Sequence, residues 1–354
     1  MPTTQLLNLE QLQQTAVKYD PVLRTLPNLL LEPYIGAMHF NLIQVSSEDR
    51  IINLRRRGAL LRPYKGTVNQ VEEANALKAE ESSLRVRPAY LALVDNVQNY
   101  KEGQHILKAG VAVDNKAKTH PYAFEVLQAA VATFVEDFTA AIPHAKYGAA
   151  GDGPLSVFDG YNAIIDALIT SKAIDKPLGN LVESAPMDAP ADGADTKALT
   201  ALVDWLRALH PMLKAGPLDV IIPQNALQAV LDAFENRRQH TGDTTREQLA
   251  LYLRDKALLA EVPSLITSPV VGAGQRLIAC RPGTISVGIS AADDLQFVQV
   301  RAPYTDPNLV QFWLQADMGT RLDDWHAKVF ATNGKGIQQT AGLSGDYEVK
   351  PKKP

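Results

Sequence analysis

The stretch THPYAFEVLQAAVATFVEDFTAAIP, residues 119–143, decides the architecture. Leu127, Val131, Phe134, Phe138 and Ile142 follow one another at spacings of four, three, four and four residues, one unbroken apolar stripe on a helix. Pro121 near the first turn suits a helix start, and Pro143 marks its stop. About 24 residues rising ~1.5 Å each make a rod of ~36 Å, long for a globular protein.

On the N-terminal side of this rod, residues 53–105 predict a long hairpin. Ala59-Leu60-Leu61-Arg62-Pro63-Tyr64 leads outward, and Leu84 to Val94 returns with alternating apolar residues at Leu84 and Val86, then Ala89, Leu91 and Leu93. Residues 71–81 between them are charged and poor in large apolar groups, which suits an exposed tip. A two-stranded ribbon is marginal in water, so this one needs a partner surface. Residues 1–52 read as an arm. A short amphipathic helix carrying Leu6, Leu7, Leu9 and Leu12 gives way to Asp20-Pro21, Leu26-Pro27 and Glu32-Pro33. Each proline biases its predecessor towards extended backbone. Such an apolar arm packs on a distant domain or on a neighbouring chain.

On the C-terminal side, Gly148 to Pro154 reads as a hinge and domain boundary. Beyond it lies α/β material. Tyr161 to Ile174 is helical, and Leu199, Leu202, Leu206 and Leu209 predict a helix ending before Pro211. A strand over 218–222 leads to a helix with Leu227, Val230, Leu231 and Phe234. Thr244-x-x-Glu247 reads as a capping box opening the next helix. Strands follow at 265–271, 276–280 and 285–289, then longer ones at 297–301 and 310–315 around the turn Tyr304 to Asn308, and a last at 327–331. The tail, 334–354, is Gly- and Lys-Pro-rich and reads as disordered.

The bulk properties narrow the function classes. The chain has 354 residues, enough for two domains, with 46% hydrophobic and 21% charged residues. A net charge of -4 provides no global pull towards nucleic acid or anionic lipid. Cys280 is the only cysteine, so an intrachain disulfide is excluded and a cysteine-based zinc site is disfavoured. No signal peptide or membrane-spanning run is visible, which points to a protein made and used in a cytoplasm.

Constellations that carry chemistry are scarce. Gly148-x-x-Gly151-x-Gly153 has the wrong glycine order for a dinucleotide fingerprint and follows a helix. The histidines at 39, 105, 120, 144, 210, 240 and 326 stand singly. Asp323-Asp324-Trp325-His326 is the nearest approach to a metal or acid/base cluster, yet successive residues point different ways. Arg55-Arg56-Arg57, with Arg50, Arg62 and Lys65, is the densest basic stretch. It reads as a solvated face or as partners for a neighbouring subunit's acids, ahead of a phosphate contact. Asp159-Gly160-Tyr161 reads as a structural turn before a helix. No residue is assigned a catalytic, cofactor-binding or metal-ligating role.

The order of arm, long hairpin, long helix, hinge, α/β region and returning strands resembles the Hong Kong 97-type capsid fold of tailed-bacteriophage major capsid proteins, an α+β fold. Local matches are Glu48 to Asn53 with Leu60 to Lys65, Asp95 to Lys101, Asp114 to Pro121, Gly283 to Gly288, Val298 to Asn308 and Phe312 to Ala316, within residues 40–333. The resemblance implies an N-terminal arm (1–52), an E-loop hairpin (53–105), a P-domain with the spine helix (106–150 and 295–333), an A-domain (151–294) and a flexible tail (334–354). It further implies a non-enzymatic subunit without cofactors that assembles with copies of itself into hexamers and pentamers of an icosahedral head. Arm and E-loop would overlap neighbours, and the shell would enclose double-stranded DNA through weak non-specific contact. A separate scaffolding protein, a portal and decoration proteins are the implied partners, with no membrane. The place would be the virion, after assembly in the host cytoplasm. Two other readings stay open: an encapsulin-like bacterial nanocompartment shell, and an α/β hydrolase with its site near Asp159 or at Asp323, Asp324 and His326.

Overall fold

The computed structural model describes residues 9–56, 77–96, 121–149, 153–190, 195–238, 245–268, 276–290, 296–301 and 309–334. Two helices, α1 (Leu9–Lys18) and α2 (Asp20–Ala37), precede strands β1 (Asn41–Gln44), β2 (Glu48–Arg56), β3 (Leu77–Arg85) and β4 (Arg87–Asn96). The long helix α3 follows (Pro121–His144), then α4 (Tyr161–Thr170), α5 (Lys197–Ala208) and α6 (Pro211–Lys214). Strand β5 (Asp219–Pro223), helices α7 (Gln224–Arg238) and α8 (Arg246–Ala257), and strands β6 (Ser264–Ser268), β7 (Ile278–Cys280) and β8 (Ile285–Ile289) come next. Strands β9 (Gln296–Arg301), β10 (Leu309–Leu322) and β11 (Phe330–Thr332) complete the order.

Helix α3 forms where the stripe predicts it, and Leu127, Val131, Phe134, Phe138 and Ile142 are all buried. Pro143 does not stop it but occupies its last turn. The helix lies on a five-stranded sheet of order β1-β8-β10-β4, and the first hydrophobic cluster fills the space between them. Strand β10 is the sheet's axis. One of its edges pairs with β4 along Leu309–Met318, and the other is shared by β9 and then β8. Strand β8 also pairs in parallel with β1.

A second sheet, β11-β7-β5-β6, packs under α5, α7 and α8 around a second cluster. Strand β5 is buried at every position, as a central strand covered on both faces must be. Trp205 is buried in this cluster, and its indole N–H donates to the Val182 carbonyl (3.0 Å), so the polar edge of the ring is satisfied. The cap of α8 sits one residue later than expected. Thr245, not Thr244, accepts from the Gln248 N–H (3.3 Å), because the cap signature occurs twice in overlapping register, as Thr244-x-x-Glu247 and Thr245-x-x-Gln248.

The arm corrects the sequence reading. The short helix expected around Leu9 and Leu12 is present as α1, but the proline-punctuated stretch after it is the helix α2 rather than extended chain, while 1–8 lie outside the described residues. Leu23, Leu31 and Ile35 recur at helical spacing and are buried in the cluster that contains the α3 stripe. Helix α2 packs on α3, and α1 touches both α3 and β9. Tertiary burial thus outweighs a poor local sequence: each proline inside a helix costs about 3 kcal/mol, and α2 carries Pro27 and Pro33 in its interior. Of the two partners open to the arm, the distant part of its own chain is the one seen here.

A ribbon forms from β2 and β3, from Glu48↔Arg85 to Arg56↔Leu77, but not with the expected strands: the outgoing strand begins inside the segment read as arm, and of the return strand expected over 84–94 only Leu84 and Arg85 belong to the ribbon, since β4 leaves it to pair with β10 in the first sheet. Residues 77–81, expected in the tip, belong to the strand instead. The outgoing segment 59–64 lies outside the described residues, as do residues 150–152 of the hinge and the tail beyond 334.

Candidate functional site

The β2–β3 ribbon has two faces of opposite character, and the body of the protein takes only one. Two glycines make room for that face. Gly288 on β8 and Gly319 on β10 are register partners, side by side beneath the ribbon's base. A Cβ on Gly319 would stand 2.3 Å from the Arg85 carbonyl oxygen, and one on Gly288 would stand 2.8 Å from Leu84 Cδ2. Backbone therefore crosses backbone at a distance only glycine permits. Leu84 fills the contact and is 0% exposed.

Polar groups then clamp the ribbon to the end of β10. Arg321, 1% exposed, donates from Nη1 to Asp49 Oδ2 (2.8 Å) and from Nε to Asp323 Oδ1 (2.5 Å). Ser286 donates its hydroxyl to the second oxygen of Asp323 (2.6 Å). Asn53 Nδ2 donates to the Asp323 carbonyl (2.6 Å), and the Ser82 hydroxyl donates to the Leu322 carbonyl (2.6 Å). Arg55 bridges Glu80 (2.8 Å) and Asp324 (2.6 Å) and lies 5.2 Å above the Trp325 ring. A buried arginine is tolerable because two carboxylates meet it with charge-assisted hydrogen bonds.

The outer face sets two exposed apolar side chains among surface ion pairs. Ile52 and Leu54 are 65% and 67% exposed, opposite Glu81 and Ala79 on β3. Arg50 pairs with Glu48 and Glu81 at 3.0 Å each, and Arg85 with Glu48 at 3.1 Å. These hydrogen bonds from Arg50 and Arg85 hold the Glu48 carboxyl below its usual range.

A second open surface is a groove of about 590 Å³ between α3 and β4. Phe134, Phe138, Tyr90, Tyr147, Phe158 and Met318 line it, with Asp137 the acidic group among them. Burial, and then the neighbouring Glu136, raise the Asp137 carboxyl above its usual range. Tyr90 stacks on Trp313 at the rim (5.1 Å), and Arg87 covers Tyr147 (3.5 Å).

The residues singled out in the sequence are placed as follows. Asp323 and Asp324 face different partners, Arg321 and Arg55, and do not converge on one point. His326 Nδ1 accepts from the Lys328 N–H, and burial followed by Arg55 lowers its pKa. Arg50 and Arg55 meet acids of their own chain; Arg57, Arg62 and Lys65 lie outside the described residues. Asp159 Oδ1 accepts from the Tyr147 N–H (3.0 Å) and its carbonyl accepts from the Thr320 hydroxyl (2.5 Å). Gly160 passes so near the Ile142 carbonyl that a Cβ would stand 2.6 Å from it, so Asp159-Gly160 is a packed turn.

His39 Nδ1 lies 2.8 Å from Asp219 Oδ1, joining the α2–β1 junction to the second sheet. His144 ends α3, where burial and then Arg276 depress its pKa to about 4. His105, His120 and His240 are outside the described residues. Among the described residues no group of three His, Cys, Asp or Glu could hold a metal ion, and no helix is long and apolar enough to cross a membrane. Cys280 is buried, and burial pushes its thiol up.

The clamp residues Arg321 and Asp49 and the two glycines were missed in the sequence. A lone glycine inside the strand Ile285–Ile289 was a usable signal for close backbone approach. Nothing local marks Arg321 as buried.

No family model and no curated protein sequence matches the chain. Solved structures do. The chain resembles one in the structure described as the satellite phage P4 procapsid including its size determination (Sid) protein, with a TM-score of 0.53 at 10% identity over 87% of this chain and 90% of that one. The fold is that of phage capsid proteins. Two others are a chain of the capsid of Myoviridae phage XM1 (TM-score 0.49, 11% identity, 84% and 89% covered) and one of the capsid of an empty GTA particle (TM-score 0.49, 11% identity, 84% and 94% covered). The likeness to the P4 procapsid chain covers most of the length of both chains, and it meets the expectation of a capsid fold drawn from element order.

Proposed function

We propose that the chain is the major capsid protein of a tailed bacteriophage, a structural subunit without enzymatic activity. It assembles with copies of itself into hexamers and pentamers of an icosahedral head around double-stranded DNA. The observation that carries this reading is the ribbon. Its inner face is clamped to its own chain, while Ile52 and Leu54 face outward from a protein with a capsid fold. On a protein with a capsid fold, this outward ribbon face is the surface we assign to contact with another copy.

In this reading residues 53–105 are the E-loop, 106–150 and 295–333 the P-domain, 151–294 the A-domain, and 334–354 a flexible tail. With these bounds the two units exchange strands, β8 joining the first sheet and β11 the second. Ring contacts fall to the A-domain and overlapping contacts to the E-loop. Each contact can be modest, because simultaneous engagement of many multiplies their effect. A separate scaffolding protein, a portal and decoration proteins complete the assembly, which forms in the host cytoplasm and remains in the virion.

The test is overexpression followed by negative-stain microscopy and size-exclusion chromatography. Closed shells, or capsomer-sized rings, are the expected result. A protein that stays monomeric or dimeric at high concentration, with and without its neighbouring genes, would remove the proposal.

A further inference from the structure

The groove between α3 and β4 combines exposed aromatic rings with a carboxylate that, among the described residues, no cation meets. Phe134, Phe138 and Phe158 form its buried floor, while Tyr90 and Tyr147 are 65% and 53% exposed. Both tyrosine rings are braced by a neighbour. Tyr90 stacks on Trp313 with 6° between the ring planes, and Tyr147 lies under the Arg87 guanidinium. Asp137, half-buried on α3, is acted on first by burial and then by Glu136, and both disfavour its charge. An arriving cation would relieve it.

The chain itself carries a segment of matching chemistry. Residues 350–354 read Lys-Pro-Lys-Lys-Pro, which places Pro351 and Pro354 in a Pro-x-x-Pro pattern. Such sequences favour the polyproline II helix, with three residues per turn and a rise of ~3.1 Å per residue. Pro351 and Pro354 then share one face, ~9 Å apart, while Lys350 and Lys353 share another. Segments of this kind dock in aromatic-lined grooves, because a helix already formed loses little entropy on binding. Attachment permits the meeting. A Cβ on Gly334 would stand 3.3 Å from Leu181, which packs on the hydrophobic cluster containing the three phenylalanines of the groove. The 20 residues that follow, 335–354, can span up to about 66 Å.

We propose that this groove is a docking site for the chain's own Lys-Pro segment, residues 350–354. The two proline rings lie on Tyr90 and Tyr147, and a lysine ammonium pairs with Asp137. Residues 335–349 are the tether. Tethering raises the local concentration of the segment, so a contact that is weak for a free peptide is sufficient here. Lysine alone would pair with any exposed carboxylate, whereas the proline spacing and the braced rings select this groove. Docking removes from water two tyrosine faces that the rest of the fold leaves exposed. The inference concerns a single subunit and does not rest on the shell reading.

The test places a reporter disulfide in the full-length chain. Cys280, the sole native cysteine, is buried and does not compete. Ser156→Cys in the groove wall, combined with Lys352→Cys, should crosslink within one chain under oxidised glutathione. The product is a monomer of altered mobility on a non-reducing gel, and reduction removes it. Adding Asp137→Asn, or Pro351→Ala with Pro354→Ala, should slow that crosslink by roughly fivefold or more, the loss of one specific contact. Added salt should slow the parent pair and leave the Asp137→Asn version unchanged. Equal rates in all versions would mean chance encounters of a loose tail and would overturn the proposal. Crosslinks that join only different chains would overturn it too. The expected crosslinked monomer from a protein that never forms shells would uphold the docking site while the shell reading falls, so the two fail separately.

Discussion

The two faces of the β2–β3 ribbon invert the usual arrangement of a soluble protein. Its inner face buries charge: Arg321 with Asp49 and Asp323, and Arg55 with Glu80 and Asp324. Its outer face presents Ile52 and Leu54 to solvent. Folding ordinarily hides the second kind of group and exposes the first. The difference teaches that, beside the single apolar contact of Leu84, the ribbon is attached by directional bonds, which fix its angle, while the apolar area of Ile52 and Leu54 is withheld from the fold of its own chain. Area withheld in folding is area available to association.

Three variants break this contrast, in decreasing order of effect on the subunit. Arg321→Met leaves Asp323, and part of Asp49, without the cation that compensates their burial. It should cost ~3 kcal/mol in urea denaturation, within the range for breaking a buried pair. Gly319→Ala forces a methyl group against the Arg85 carbonyl, which cannot yield without moving the ribbon. It should cost ~2 kcal/mol and speed hydrogen exchange in residues 77–85. Ile52→Ser with Leu54→Ser should change subunit stability by less than about 0.5 kcal/mol, since both side chains are already in water, yet abolish shells in micrographs. A large loss of subunit stability from that pair would show the outer face to be part of the core, and the contrast drawn here would be wrong.

Much of the fold was legible because it follows periodicity. The α3 stripe and the wholly buried β5 and β8 are patterns of single residues at fixed spacing. Strand β10 was read too short, at 310–315, because Asp317 and Gly319 are weak strand formers. They stand in it because Gly319 pairs with Gly288 under the ribbon. The arm was misread for a different reason. Prolines at 21, 27 and 33 argue locally for extended chain, and burial of Leu23, Leu31 and Ile35 on a helix 100 residues away in sequence argues otherwise. Local signals cannot weigh a contact of that separation. The clamp was invisible, since Arg321, Asp49 and Ser286 meet only through tertiary structure, and the Asp323-Asp324 pair drew attention as chemistry when its role is anchorage.

Strand β10 has a mechanical consequence. Its 14 residues, at ~3.3 Å each, form a beam of about 46 Å. Its far end pairs with β9 and β4, and its near end carries β8 and the arginine clamp. A tug on the ribbon is therefore delivered along covalent backbone and ladder bonds, the stiffest route a polypeptide has, rather than through soft side-chain packing. Strain applied at one margin of the subunit would be felt at the other within the same strand, so a load on the ribbon is shared along the sheet instead of concentrating where the ribbon joins it.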